Sequence, residues 1–118
     1  ITPPQEGDAR ASLGVSEIVP PPDEIKSLWR QIPPDLSEIS EYLRPVRQWL
    51  RASTSPGDYV LIQGDFGACC LMVGFAFDEG LIPVYSTTRR EMSEALDADG
   101  SIRLTHRFDH QIFRRYGV

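Results

Sequence analysis

Tyr59-Val60-Leu61-Ile62-Gln63-Gly64-Asp65-Phe66-Gly67 and Leu81-Ile82-Pro83-Val84-Tyr85-Ser86-Thr87-Thr88-Arg89-Arg90 share one pattern: a short apolar run passes straight into a polar loop. Between them Phe66 to Glu79 is apolar almost throughout, which predicts a buried helix closed by Gly80 as its C-terminal cap. With strands over Asp58 to Gln63 and Leu81 to Ser86, the stretch reads as a βαβ unit. Apolar strands without alternation are those covered on both faces of a parallel sheet, and their crossover is expected to be right-handed. The predicted class is therefore α/β: a Rossmann-like, doubly wound, mostly parallel sheet with flanking helices and a C-terminal β-hairpin.

Upstream, Thr2 is placed to cap a helix with Pro3 at its first position, ending at Leu13-Gly14. Val15 to Val19 reads as a short strand closed by Pro20-Pro21-Pro22. Asp23 is the next expected cap, for a helix whose Ile25, Leu28, Trp29 and Ile32 recur at helical spacing until Pro33-Pro34. A third helix, expected to be the longest, starts at Asp35 or Ser37. Its stripe is Leu36, Ile39, Leu43, Val46, Trp49 and Leu50, with a kink or break after Arg44 at Pro45. Downstream, Asp97-Ala98-Asp99-Gly100 is a turn between antiparallel strands Arg89 to Leu96 and Ser101 to Phe108; a helix over Thr88 to Leu96 is the competing reading. In the hairpin Ile102, Leu104, His106 and Phe108 share one face, with His106 read as a packed histidine.

Composition narrows the function classes. A chain of 118 residues is the size of one domain and can hold a modest core. No window approaches the roughly 20 apolar residues that cross a bilayer, so the expectation is a soluble, cytoplasmic protein with no membrane partner. The net charge of −5 argues against duplex nucleic acid, which requires a broadly basic surface. Charge is uneven, however: residues 1–57 hold eight acids, while Arg89, Arg90, Arg103, Arg107, Arg114 and Arg115 gather downstream. Arginine outnumbers lysine eleven to one, and guanidinium forks suit bidentate contact with phosphate. Adjacent Cys69-Cys70 in an apolar run favours neither a disulfide nor a zinc site and reads as packing. No metal-ligand spacing and no serine-histidine-acid signature is visible, so neither metal nor cofactor is expected.

The two strand ends are the candidate site, since ligands of open α/β sheets bind outside the carboxyl ends of strands. At the first, Gln63, Gly64, Asp65, Phe66 and Gly67 combine glycines that permit close approach with loop amides at a helix N-terminus. The stretch lacks the lysine and hydroxyl of a nucleotide-hydrolase phosphate loop and the third glycine of a dinucleotide fingerprint. For Asp65, helix capping and ligand contact stay open; for Gln63, an amide ending a buried strand must brace the loop or read a ligand. At the second, Ser86, Thr87, Thr88, Arg89 and Arg90 offer three hydroxyls and two guanidiniums, suited to phosphodiester oxygens. His110, next to Asp109 and near Arg114, is a candidate proton carrier.

Together with Thr105-His106-Arg107-Phe108-Asp109-His110, Gln31-Ile32-Pro33-Pro34-Asp35-Leu36 and Tyr42-Leu43-Arg44-Pro45, these stretches resemble the small, stand-alone CRISPR-associated Csx-twenty family of type III systems. The resemblance implies a CARF-like Rossmann domain over residues 1–118. It also implies a homodimer holding cyclic tetra-adenylate across its two-fold axis, and metal-independent cleavage by a ribose 2′-hydroxyl to a 2′,3′-cyclic phosphate. Gln63 to Gly67 with Thr87, Thr88 and Arg90 would hold the ring, Arg89 would stabilise developing charge and His110 would carry the proton. Two departures are expected to matter: Cys69-Cys70 stands where the family has Thr-Tyr, and the family's opening strand with its histidine loop would precede Ile1. A non-catalytic sensor or sponge, and a structural partner-binding domain, are the alternatives.

Overall fold

The computed structural model describes the backbone of all 118 residues and the side chains of all but Glu91, Ser93, Thr105 and His106. The packing expected of His106 therefore falls outside the described residues. The elements are α1 (Pro3–Ser12), α2 (Asp23–Arg30), α3 (Arg44–Ser53), β1 (Tyr59–Leu61), α4 (Phe66–Asp78), β2 (Ile82–Leu96) and β3 (Ile102–Arg115). They build two compact units, one of residues 1–16 and 86–114, the other of residues 17–85 and 115–118. The fold is mixed α/β, with strand order β1-β2-β3.

The βαβ unit forms as its sequence predicts. β1 pairs with β2 in parallel, Tyr59 opposite Ile82 and Leu61 opposite Val84, and α4 makes the crossover. Gly80 comes after the last turn of α4 at φ 73°, the left-handed conformation that lets the chain leave the helix for β2. The mostly parallel, doubly wound sheet does not form. β3 is β2's hairpin partner, and strands joined by so short a turn run antiparallel, so the sheet is small and mixed. Asp97 N–H donates to Ser101 O at 2.8 Å and Gly100 N–H to Asp97 O at 3.0 Å. This closes the turn where predicted and rules out the helix over Thr88 to Leu96.

Val15 to Val19 joins no ladder. Gly14, at φ 69°, turns the chain after α1, and Pro20 to Pro22 have no N–H to give a neighbouring strand. The third helix is shorter than its apolar stripe. It starts at Arg44, with Pro45 in its first turn where a missing N–H costs nothing, and residues 33–43 are turns and bends. Residues 1–12 match their prediction closely: Thr2 Oγ1 accepts from Gln5 N–H while the Gln5 side chain accepts from Thr2 N–H, a complete capping box.

In the 17–85 unit the core is Leu43, Val46, Leu50, Val60, Ile62, Ala68, Met72, Ala76 and Leu81. α4 contributes Ala68, Met72 and Ala76, one stripe at i, i+4, i+8. The buried helix expected from its composition is buried on that side only; Phe66, Leu71 and Phe77 are exposed. Tyr42 Oη donates to Leu28 O at 2.7 Å, satisfying a carbonyl in the last turn of α2. Tyr116, from the end of the chain, donates its hydroxyl to Ile62 O at 2.5 Å and packs 4.8 Å from Tyr85.

Candidate functional site

The loop after β1 is fixed from the side by α2. Trp29 Nε1–H donates to Gln63 O at 2.9 Å, and Gly64 beside it sits at φ 144°. A Cβ on Gly64 would lie 2.9 Å from Trp29 Nε1, so the glycine is required by both conformation and space. Gln63 is exposed, so the burial penalty that suggested a ligand-reading amide does not arise. Asp65 is the N-cap of α4: its Oδ2 accepts from Ala68 N–H at 2.9 Å, which takes one amide of the helix end out of use and puts a carboxylate there. Phe66 is 95% exposed, an apolar ring offered to solvent at the loop's edge. Gly67 lies between Asp65 and Ile39, with room for a Cβ at 3.5 Å.

The two cysteines of α4 differ from each other. Cys69 is half-buried against the core and Cys70 is exposed, so only one is a packing residue. Burial pushes the Cys69 thiol and the Tyr116 phenol above their ordinary values, which keeps both protonated at neutral pH.

The 86–114 unit, completed by α1, holds Ser86 to Arg90, but not at a strand end: β2 runs on from Ile82 to Leu96, so the polar loop expected after Ser86 is strand. Thr88, Arg89 and Arg90 are exposed on β2. Thr87 is tied to the opposite strand: its Oγ1 accepts from Ile112 N–H at 3.1 Å and donates to Ile112 O at 3.2 Å. Its hydroxyl thus serves the hairpin first.

His110 does not use Asp109, whose carboxylate pairs with Arg107 at 3.0 Å. Its partners come from far along the chain. Nδ1 lies 2.6 Å from Ser86 Oγ and Nε2 lies 2.7 Å from Asp8 Oδ2, with the Phe113 ring 4.6 Å away. The imidazole is only 6% exposed. A carboxylate can only accept, so Nε2 carries a hydrogen, and in the neutral imidazole the Nδ1 lone pair accepts the Ser86 hydroxyl. Ser86 Oγ is also 3.4 Å from Thr87 O, and the shorter contact claims its single proton. Ser12 Oγ donates to Asp8 Oδ1 at 2.5 Å; this bond and the one from His110 hold the Asp8 carboxyl below its ordinary value.

An aspartate, a histidine and a serine therefore meet in one hydrogen-bonded line, although the sequence shows no serine-histidine-acid signature. Asp8 and His110 are 102 residues apart, and the only local sign is Ser12 one helical turn after Asp8. Among the described residues, no group of three histidine, cysteine or carboxylate side chains is placed to hold a metal, and no helix is long and apolar enough to cross a membrane.

Comparison with known proteins gives a family. The family model described as the uncharacterized protein MJ1673 family matches residues 1–114. The chain is 47% identical over 116 residues to "Uncharacterized protein MJ1673" of Methanocaldococcus jannaschii, covering 98% of this chain and 89% of that protein. No solved structure matches. The chain belongs to the MJ1673 family.

Proposed function

We propose that this protein is a cytoplasmic ring nuclease of the Csx-twenty kind. In this reading it cleaves cyclic tetra-adenylate without a metal and so switches off the antiviral signal of type III CRISPR systems. The observation that carries the reading is the seating of His110. The histidine expected to carry a proton has one ring nitrogen on a carboxylate and the other on a hydroxyl, in the unit that also holds Thr88, Arg89 and Arg90. Phosphodiester cleavage by a neighbouring 2′-hydroxyl needs only a proton acceptor, alignment and charge stabilisation. Arg89, exposed on β2, supplies the charge as negative oxygens develop.

Each unit offers ligand contacts of its own. In the 17–85 unit the exposed Phe66 ring suits stacking on adenine, and Gly64 and Gly67 keep the loop slim for close approach. In the other, Arg90 and Thr88 suit phosphate oxygens. A four-fold ring contains a two-fold axis, which a homodimer matches. Turnover of the four-membered ring with EDTA present tests the reading. Arg89→Ala is expected to lower kcat by roughly 100-fold or more. Recovery of intact ring bound to the wild-type protein would instead identify a sensor or sponge.

A further inference from the structure

His110 is too buried to touch a ligand, yet its Nδ1 is engaged by a half-buried hydroxyl. We infer that Ser86 is the reacting hydroxyl of a proton relay, Asp8–His110–Ser86, through which the enclosed imidazole acts on a phosphoryl centre outside it. The relay stands on geometry alone; only its natural ligand rests on the ring-nuclease reading. Asp8 is a positioning residue: by accepting from Nε2–H it leaves the Nδ1 lone pair aimed at Ser86 and steadies the imidazolium that forms when Nδ1 takes a proton. The carboxylate is ionised at neutral pH, as that role requires. Phosphoryl rather than acyl chemistry is favoured by the exposed neighbours of Ser86 on the same strand, the hydroxyl of Thr88 and the guanidiniums of Arg89 and Arg90.

In ring cleavage the ligand's 2′ O–H gives its proton to Ser86 Oγ while Ser86 gives its own to His110 Nδ1. The 2′ oxygen forms its bond to phosphorus, the bond to the 5′ oxygen breaks, and the leaving oxygen takes a proton from water. The imidazolium then returns its proton through Ser86 to solvent. The same relay makes Ser86 itself a nucleophile toward a reactive phosphoryl probe. Oγ–P forms, P–F breaks, fluoride leaves, and the hydroxyl proton passes to His110.

The test is therefore diisopropyl fluorophosphate applied to the folded full chain, read by intact mass and peptide mapping. Wild type is expected to gain one diisopropylphosphoryl group on Ser86 and Ser86→Ala none. His110→Gln is expected to label roughly 100-fold or more slowly. Asp8→Asn keeps the shape of the contact but not the charge, and is expected to label slowly with a shifted pH profile. This variant carries the comparison if His110→Gln does not fold. Folded wild type without label on Ser86, or variants labelled at the wild-type rate, overturns the relay; a purely structural network would alter melting temperatures and leave wild type unlabelled. Ring cleavage without labelling sinks the relay alone, and labelling without ring cleavage sinks the ring-nuclease reading alone.

Discussion

Gly64 and Asp8 show how unevenly single residues declare themselves. Gly64 is legible as a residue needed where a chain turns from strand to helix, and the structure gives the reason twice, in its φ of 144° and in Trp29 at 2.9 Å from a would-be Cβ. Gly64→Ala is expected to cost about 1–3 kcal/mol in urea unfolding, because the indole it would strike also holds Gln63 O. Asp8 is not legible: nothing around it in α1 points to a histidine on β3. Its folded pKa lies below the ordinary 3.8 because Ser12 and His110 donate to it. The stabilisation this gives is present above the unfolded value and lost as pH falls through the lower folded one. Melting temperature measured through the acid range is therefore expected to drop less steeply in Asp8→Asn than in wild type.

Among the elements, α4 and the two strands it joins were readable because three signals agree: an aspartate cap, an apolar stretch and a closing glycine. What composition could not give is which side of α4 is covered, since apolar residues line both. The faces differ in how they respond to substitution. Met72, on the buried stripe, is 1% exposed, and Met72→Ala is expected to cost about 2–5 kcal/mol. Gly74 has open space where a Cβ would stand, and Gly74→Ala is expected to stabilise by about 0.5–1 kcal/mol. Denaturant midpoints of the two variants, moving in opposite directions, check the assignment. The apolar stripe before Arg44 misled for a physical reason: spacing fits a helix from Leu36 onward, but Pro45 in its interior would have no N–H for the carbonyl four residues back, and only the segment from Arg44, with Pro45 in its first turn, forms one. β2 and β3 outran their expected lengths because no glycine or proline interrupts either strand after Pro83 until Gly100 and Gly117.

For the whole molecule, the parallel pair and the C-terminal hairpin were both readable; what was not is how they combine, since β2 serves both and the sheet is small and mixed instead of mostly parallel. Met92, Leu96, Ile102, Leu104, Phe108 and Ile112 are each more than half exposed, as is Phe77 on α4. Apolar surface of that kind is what an oligomer covers. The proposed homodimer predicts a two-chain mass by light scattering, shifted toward one chain by Leu104→Glu with Phe108→Glu. The measurement that bears most directly on the function is product analysis after incubating the protein with cyclic tetra-adenylate and excess EDTA. Linear fragments ending in a 2′,3′-cyclic phosphate, formed over many turnovers, are the predicted result; the ring recovered intact would contradict it.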